Sequence, residues 1–158
     1  SQDDLQGVLK ENADEPHAEV IARAVHAALK KGTDIATTAQ LRQIIKDALQ
    51  FVPEGDRDAA VKKSCQRCFQ ALRIDVNHEF EVLYSFLEAL PTVLAEGGRV
   101  AILSFHSGED RLVKKSFQQF FRAGAYRAIS PDPIRPSPEE CASNPRARSA
   151  KLRWAIKA

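Results

Sequence analysis

The stretch that decides the fold is residues 97–115, Gly-Gly-Arg-Val-Ala-Ile-Leu-Ser-Phe-His-Ser-Gly-Glu-Asp-Arg-Leu-Val-Lys-Lys. After the glycine turn, the apolar run from Val100 to Leu103 is typical of a strand buried on both faces of a parallel sheet. Polar residues cluster at its end, and apolar residues then return at helical spacing. The pattern predicts strand, polar turn and helix. Because ligands of open α/β sheets bind beyond the carboxyl ends of strands, the polar turn is the first candidate site.

Length and composition narrow the class of protein. A chain of 158 residues with 44% hydrophobic residues predicts one domain, or one and a half, with an ordinary core. No apolar stretch approaches the roughly 20 residues of a membrane helix, and the acidic start is not a signal peptide. Three cysteines, an odd number, favour a reducing compartment over secretion. The chain contains no Met and begins at Ser1, so we expect a fragment or a trimmed piece.

Charge is unevenly distributed along the chain. Residues 1–56 carry 6 Lys/Arg and 10 Asp/Glu, a net −4, whereas residues 57–158 carry 17 and 11, a net +6. The second part is therefore the candidate for an anionic partner such as RNA. An ordinary solvated surface explains the same imbalance equally well.

Hydrophobic periodicity predicts a helical first part and a mixed second part. We predict helices over 3–13, from about 17 to Gly32, from Thr37 or Thr38 to about 49, over 57–73, from Asn77 to about 95 and over 109–122. Strands are predicted over 100–105, 126–129 and 151–156. Residues 130–138 and 144–149 are predicted to be loops, proline-rich and basic respectively.

Three motifs could carry chemistry. Cys65-x-x-Cys68 is half of a zinc site, but no second pair completes it and the pair lies on a helix, so we expect no metal. Ser104-Phe105-His106-Ser107 lacks the Gly-x-Ser-x-Gly elbow of serine hydrolases. Its His and Ser could instead bind a ligand or orient a base. The structural alternative is that His106 only caps the following helix. Arg146, Arg148 and Lys151 precede the last strand, where arginines suit phosphate contacts, unless the loop is only solvated.

An absence matters as well. The sequence contains no Gly-x-Gly of any kind, so we expect no nucleotide or S-adenosylmethionine cradle in this chain.

The assembled motifs resemble the MraW/RsmH methyltransferase family. Residues 97–115 resemble its GGRL-V-ISFHSLEDR-VK segment, residues 69–77 its FQALRI-VN segment, and residues 144–153 its closing NPRARSAKLR. Weaker similarity covers Ile21–Val25 and Thr37-Thr38. One departure is Gly108, where the family usually has Leu; the loss of a leucine removes about 1.5–3 kcal/mol of possible burial.

The resemblance implies an α/β fold, a partial Rossmann-like class I methyltransferase sheet with an attached α-helical insert domain. Residues 1–56 would be the insert, which recognises substrate, and residues 57–158 the C-terminal half of the methyltransferase domain. Three strands would remain, the last antiparallel and inserted between the other two. The family's N-terminal half, with the main S-adenosylmethionine loop, is not in this chain.

The resemblance also implies a function. These enzymes transfer a methyl group from S-adenosylmethionine to the exocyclic amine of a cytosine in the decoding region of small-subunit rRNA, and this chain alone is expected to be inactive. We predict His106 and Ser107 at the base pocket. The expected RNA contacts are Arg67, Arg73, Asn77, Arg146, Arg148, Ser149 and Lys151.

The missing half has a structural consequence, because the strand 100–105 would have an unpaired apolar edge. We expect a separate chain, a second copy or the rest of a longer protein to cover it. The alternative function is a non-catalytic RNA-binding or ribosome-assembly module derived from the family. Either function belongs in a bacterial cytoplasm or in an organelle.

Overall fold

The computed structural model describes all residues from Ser1 to Ala158 and is a mixed α/β structure. The elements in chain order are α1 (Gln2–Ala13), α2 (Ala18–Lys30), α3 (Thr38–Ala48), α4 (Glu54–Val76), α5 (Glu79–Val93), β1 (Arg99–Ser104), α6 (Ser107–Arg122), β2 (Tyr126–Ile129), α7 (Pro138–Ser143), a 3₁₀ turn (Pro145–Ser149) and β3 (Lys151–Lys157). None of the helices is both long and apolar enough to cross a lipid bilayer.

The chain divides into two compact units, Ser1–Asn77 and His78–Ala158. The domain boundary predicted between residues 56 and 57 therefore lies in the first turns of α4 and not between the units. The reason is that α4 packs against α1 and α3 through buried residues such as Val61 and Cys68. The assignment of an insert domain and a methyltransferase half to these parts stays a prediction.

The first unit is a four-helix module held by an apolar core. Leu9, Ile21, Ile45 and Leu49 are each at most 1% exposed, as their helical spacing predicts. Thr37 begins α3, as predicted, through a capping box in which its hydroxyl accepts from the Gln40 N–H and the Gln40 side chain accepts from the Thr37 N–H.

The second unit is a three-stranded sheet in the order β1-β3-β2, with β3 antiparallel to both neighbours. The predicted insertion of the last strand between the other two is confirmed. Because β1 and β2 are both antiparallel to β3, they run in the same direction. The core of this unit lies between the sheet and helices α5 and α6. Its most buried large side chains are Leu87, Val113, Phe117 and Tyr126.

The prediction that the strand after Gly98 is buried on both faces is wrong. Exposure alternates along β1: Ser104 is buried and Val100 half-buried, whereas Ala101 and Leu103 are exposed, Leu103 by 52%. The helices of this unit cover one face only. The other face carries an apolar depression of about 430 Å³ lined by Ala101, Trp154 and Ile156 among others. β1 also pairs with β3 on one side only, so it is an edge strand.

Two segments differ from their predicted conformation. The loop predicted over 144–149 forms the 3₁₀ turn, and α7 follows the loop predicted over 130–138, because Pro138 and Pro145 occupy first helical positions and Ser137 and Asn144 cap them. Asn77 was predicted to begin a helix; instead it caps the end of α4, and α5 begins after His78, whose φ is 52°.

Candidate functional site

The pairing of β1 with β3 brings two predicted segments together. Ser104, the last residue of β1, lies opposite Lys151, the first residue of β3, and the Ser104 hydroxyl donates to the Lys151 carbonyl at 3.3 Å. The turn through His106 and Ser107 leaves this end of the sheet, and the 3₁₀ turn Pro145–Ser149 enters it. The polar turn and the basic loop therefore meet at the carboxyl end of β1.

A buried ion cluster fixes this meeting point. The Arg153 guanidinium donates to both carboxylate oxygens of Asp110, Nε to Oδ1 at 2.7 Å and Nη2 to Oδ2 at 3.3 Å, and the Lys151 Nζ lies 3.4 Å from Oδ2. Burial tends to raise the pKa of Asp110, but the hydrogen bonds and charges of Arg153 and Lys151 outweigh it and hold this pKa below its usual range. The cluster joins the first turn of α6 to β3.

His106 is the N-cap of α6, one of the two roles that the sequence left open. Its Nδ1 accepts the Glu109 N–H at 3.4 Å, and its Nε2 lies 3.4 Å from the Glu109 Oε1. Because Nδ1 is an acceptor, the neutral ring carries its proton on Nε2. Nε2 is buried and is not aligned for a hydrogen bond, so we treat its contact with Glu109 as electrostatic.

Glu109 completes the cap from the other side. Its Oε2 accepts the Phe105 N–H at 3.0 Å, so the carboxylate holds the chain just before the helix. The His106 ring next to it, together with the Phe105 N–H, lowers the pKa of Glu109 to about 2, against the opposing effect of burial. Glu109 also lies in the first turn of α6, where the helix dipole favours an acid.

Gly108 departs from the family pattern, and the structure shows what occupies the space. A Cβ at Gly108 would lie 2.6 Å from Cζ of Phe80 and 3.3 Å from the His106 Nδ1. The Phe80 ring also packs against the His106 ring, with centroids 5.8 Å apart. An aromatic side chain from α5 therefore fills the position where a side chain at 108 would lie.

The other predicted residues of this unit are accessible. Ser107, Arg146, Arg148 and Ser149 are exposed, whereas Lys151 is half-buried beside Asp110. The Asn144 side chain accepts the Arg146 N–H at 3.2 Å and so orders the 3₁₀ turn from which both arginines project. The exposed hydroxyls and guanidinium groups can donate hydrogen bonds to phosphate or base oxygens.

Arg67, Arg73 and Asn77 belong to the first unit. Arg67, on α4, lies 3.9 Å from the buried carboxylate of Glu15, which also accepts from the Ser64 hydroxyl at 2.9 Å. Arg73 and Asn77 are exposed near the end of α4, where the Asn77 N–H donates to the Arg73 carbonyl. Arg67 thus has a structural role in compensating a buried acid.

Two groups of side chains have the chemistry of metal ligands, and neither is arranged to hold a metal. Glu79, His106 and Glu109 place ligand atoms within 4.8 Å of one another, but Nε2 carries the ring proton as long as Nδ1 caps α6. Cys65 and Cys68 pack in the core of the helical unit. Burial raises the pKa of both thiols, that of Cys68 to about 12. Thiolates are therefore disfavoured.

Two glycines of this chain closely approach other atoms, and in both cases these are protein atoms. A Cβ at Gly98 would lie 2.7 Å from the Ala95 carbonyl oxygen, and one at Gly108 would meet Phe80. Neither close approach therefore points to a bound ligand. The expectation that the main S-adenosylmethionine loop is not in this chain stays a prediction.

Sequence reasoning missed Asp110, Arg153 and Phe80 as members of this site. Asp110 and Arg153 are 43 residues apart, and only the strand order places β3 beside the start of α6. The one sequence feature that pointed to these residues is Gly108. Its missing side chain implies that another group fills the space beside His106.

Comparison with known proteins gives a consistent result over the whole chain. Residues 1–158 match the model of the MraW methylase family. The chain is 73% identical over 158 residues to "Ribosomal RNA small subunit methyltransferase H 2" of Alkaliphilus metalliredigens, covering 100% of this chain and 45% of that protein. It is 63% identical over 158 residues to "Ribosomal RNA small subunit methyltransferase H 1" of Lachnoclostridium phytofermentans, covering 100% and 43%.

The chain thus spans less than half the length of these relatives. The match nevertheless runs from the first residue to the last, and it includes every element around the carboxyl end of β1. The chain belongs to the MraW methylase family.

Proposed function

We propose that this chain is the RNA-binding, active-site-completing half of an S-adenosylmethionine-dependent methyltransferase. Its substrate is the exocyclic amine of a cytosine in the decoding region of small-subunit rRNA. Membership of the MraW methylase family and relatives named small-subunit rRNA methyltransferases support the reaction class. The setting is a bacterial cytoplasm or an organelle, where such rRNA is assembled.

The observation that carries the proposal is the register of β1 and β3. It sets Ser104 opposite Lys151, so the exposed Ser107 and the exposed arginines of the 3₁₀ turn belong to one end of the sheet. In open α/β sheets that end is where ligands bind. A flipped base needs hydrogen bonds to its edge and cationic contacts to the phosphates beside it, and these side chains offer both.

The roles of individual residues follow from their environment. Ser107 supplies an exposed hydroxyl to the base pocket, and Arg146, Arg148 and Ser149 contact the flanking phosphates. His106 bounds the pocket while its Nδ1 holds the turn, and Lys151, restrained by Asp110, presents a fixed charge. Arg67, Arg73 and Asn77 provide outer RNA contacts from the first unit.

The fold proposed for the complete protein is a Rossmann-like class I methyltransferase sheet of which β1, β3 and β2 form one end. The partly uncovered face supports this proposal because it is largely apolar, and the open edge of β1 supports it because its backbone N–H and C=O groups are unpaired. The rest of such a protein, a separate chain or a second copy would cover them, and it would supply the cofactor loop. S-adenosylmethionine would provide the methyl group there.

The experiment is a chimera in which this chain replaces the matched segment of the Alkaliphilus metalliredigens relative. We expect the chimera to transfer labelled methyl groups from S-adenosylmethionine to purified small-subunit rRNA, and the 158-residue chain alone to transfer none. His106→Ala and Ser107→Ala should each reduce the rate by about tenfold or more, the effect of about 1.4 kcal/mol in the transition state. A wild-type rate in both variants would refute the pocket assignment.

A second candidate is a non-catalytic RNA-binding or ribosome-assembly module. The absence of any Gly-x-Gly from this sequence favours it. Calorimetric titration with S-adenosylmethionine separates the two: binding by the chimera and not by the chain supports the enzyme. A chimera that folds, binds rRNA and ignores the cofactor supports the module.

A further inference from the structure

The outer face of α6 carries positive charge that the proposed site does not use. Beyond the first turn, residues 111–122 contain four basic residues and no acidic one. The two acids of the helix are already engaged, Glu109 with the Phe105 N–H and His106, and Asp110 with Arg153 and Lys151. Lys114, Lys115 and Arg122 therefore have no acidic partner on this helix.

Two of these cations share one face of the helix with a polar side chain. Lys115, Gln118 and Arg122 follow one another at helical spacing, opposite the buried Val113 and Phe117. Together with Gln119 and Ala123 they line an open depression of about 550 Å³. We call this surface, residues Lys115, Gln118, Gln119, Arg122 and Ala123, the α6 basic face.

Nothing in the structure neutralises this face. Lys115 and Arg122 are exposed and take part in no ion pair or side-chain hydrogen bond. No acidic residue occurs from 111 to 131.

We propose that the α6 basic face binds the phosphate backbone of RNA, as a second contact surface in addition to the end of β1. The inference rests on the proposed function for the identity of the polyanion. Lys115 and Arg122, two helical turns apart, reach separate phosphates, and the side-chain amides of Gln118 and Gln119 donate hydrogen bonds to phosphate oxygens. From 115 to 122 the helix rises by about 10 Å, so this is an extended contact.

The experiment measures the affinity of the 158-residue chain for a short, fluorescently labelled single-stranded RNA as a function of salt. The test variant is Lys115→Gln with Arg122→Gln. The matched control is Arg127→Gln with Arg135→Gln, which removes two charges from exposed positions of the same unit outside both proposed contact surfaces. Circular dichroism checks that both variants keep the wild-type melting curve, as exposed, unpaired side chains predict.

Loss of two phosphate contacts should reduce the slope of log affinity against log salt by about 1.4. Between about 50 and 200 mM salt the wild type should then lose about sevenfold more affinity than the test variant, and the control should match the wild type.

An unchanged slope in the test variant, with a reduced slope in Arg146→Gln with Arg148→Gln, overturns the α6 proposal alone. If the wild type binds no RNA, both this proposal and the RNA-binding part of the proposed function fail. If polyglutamate competes as well as RNA at equal charge, the assignment to RNA is overturned.

Discussion

At the scale of single residues, the site depends on side chains that neutralise or cap one another. Asp110 and Arg153 are nearly buried and joined by two hydrogen bonds, so removing one charge leaves the other uncompensated. The polar residues at the end of β1 were visible in the sequence. Their partners were not, because Arg153 lies inside an apparently alternating strand 43 residues later.

Asp110→Asn should lower the free energy of unfolding by about 3 kcal/mol, because it leaves the Arg153 guanidinium buried without a counterion. Urea denaturation followed by Trp154 fluorescence measures the change. Asp132→Asn, at an exposed position, is the control and should change the unfolding free energy by less than about 0.5 kcal/mol. Equal stability of the two variants would show that the cluster is not required.

Glu109→Gln should show a pH-dependent loss of stability. The pKa of Glu109 is lowered from 4.5 to about 2, so its contribution is fully present above about pH 4.5 and disappears as the pH falls toward 2. Since the side chain is partly exposed, we expect a difference of only about 1 kcal/mol at pH 6. Urea denaturation of both proteins from pH 6 to pH 3 measures it, and a difference that grows on acidification would contradict the assignment.

Gly108→Leu should destabilise the second unit by about 1–3 kcal/mol, because the new side chain must displace the Phe80 ring. In the Phe80→Ala variant, Gly108→Leu should lower the free energy of unfolding by less, since the space that the Phe80 ring occupied is then open. A double-mutant cycle by urea denaturation gives the coupling between the two positions. Strictly additive effects would show that Phe80 does not occupy the place of the missing side chain.

At the scale of elements, local sequence signals predicted most of the fold. The periodicity of residues 109–122, the Thr37 cap and the alternation in 151–156 correspond to α6, α3 and β3. The predictions were wrong where the local pattern is compatible with more than one structure. The apolar run of β1 fits a doubly covered strand, but which faces are covered depends on other elements, and here helices cover only one. The segment predicted to be a basic loop forms a 3₁₀ turn, because Asn144 and Pro145 favour the start of a helix.

The edge strand β1 yields a prediction at this scale. Leu103 is 52% exposed on an unpaired edge, so Leu103→Lys should not reduce stability and should suppress strand-to-strand association. Sedimentation velocity over a range of concentrations compares the two proteins. A wild-type chain that remains a compact monomer at every concentration would contradict the view that this edge needs a partner.

At the scale of the whole molecule, the chain is a member of the MraW methylase family that covers less than half of its relatives. The sequence motifs indicated this family, and the strand order β1-β3-β2 agrees with the topology expected from the resemblance. We propose that the end of β1, the 3₁₀ turn and the start of β3 together complete a pocket for a cytosine of RNA.

The most direct test is to identify the modified nucleoside that the chimera produces in small-subunit rRNA. Mass spectrometry of nuclease digests should find a methyl group on the exocyclic amine of one cytosine in the decoding region. Arg146→Gln with Arg148→Gln should reduce that product by about tenfold or more while leaving S-adenosylmethionine binding unchanged. A folded, cofactor-binding chimera that leaves this cytosine unmodified, or that modifies it equally well without the two arginines, would contradict the account.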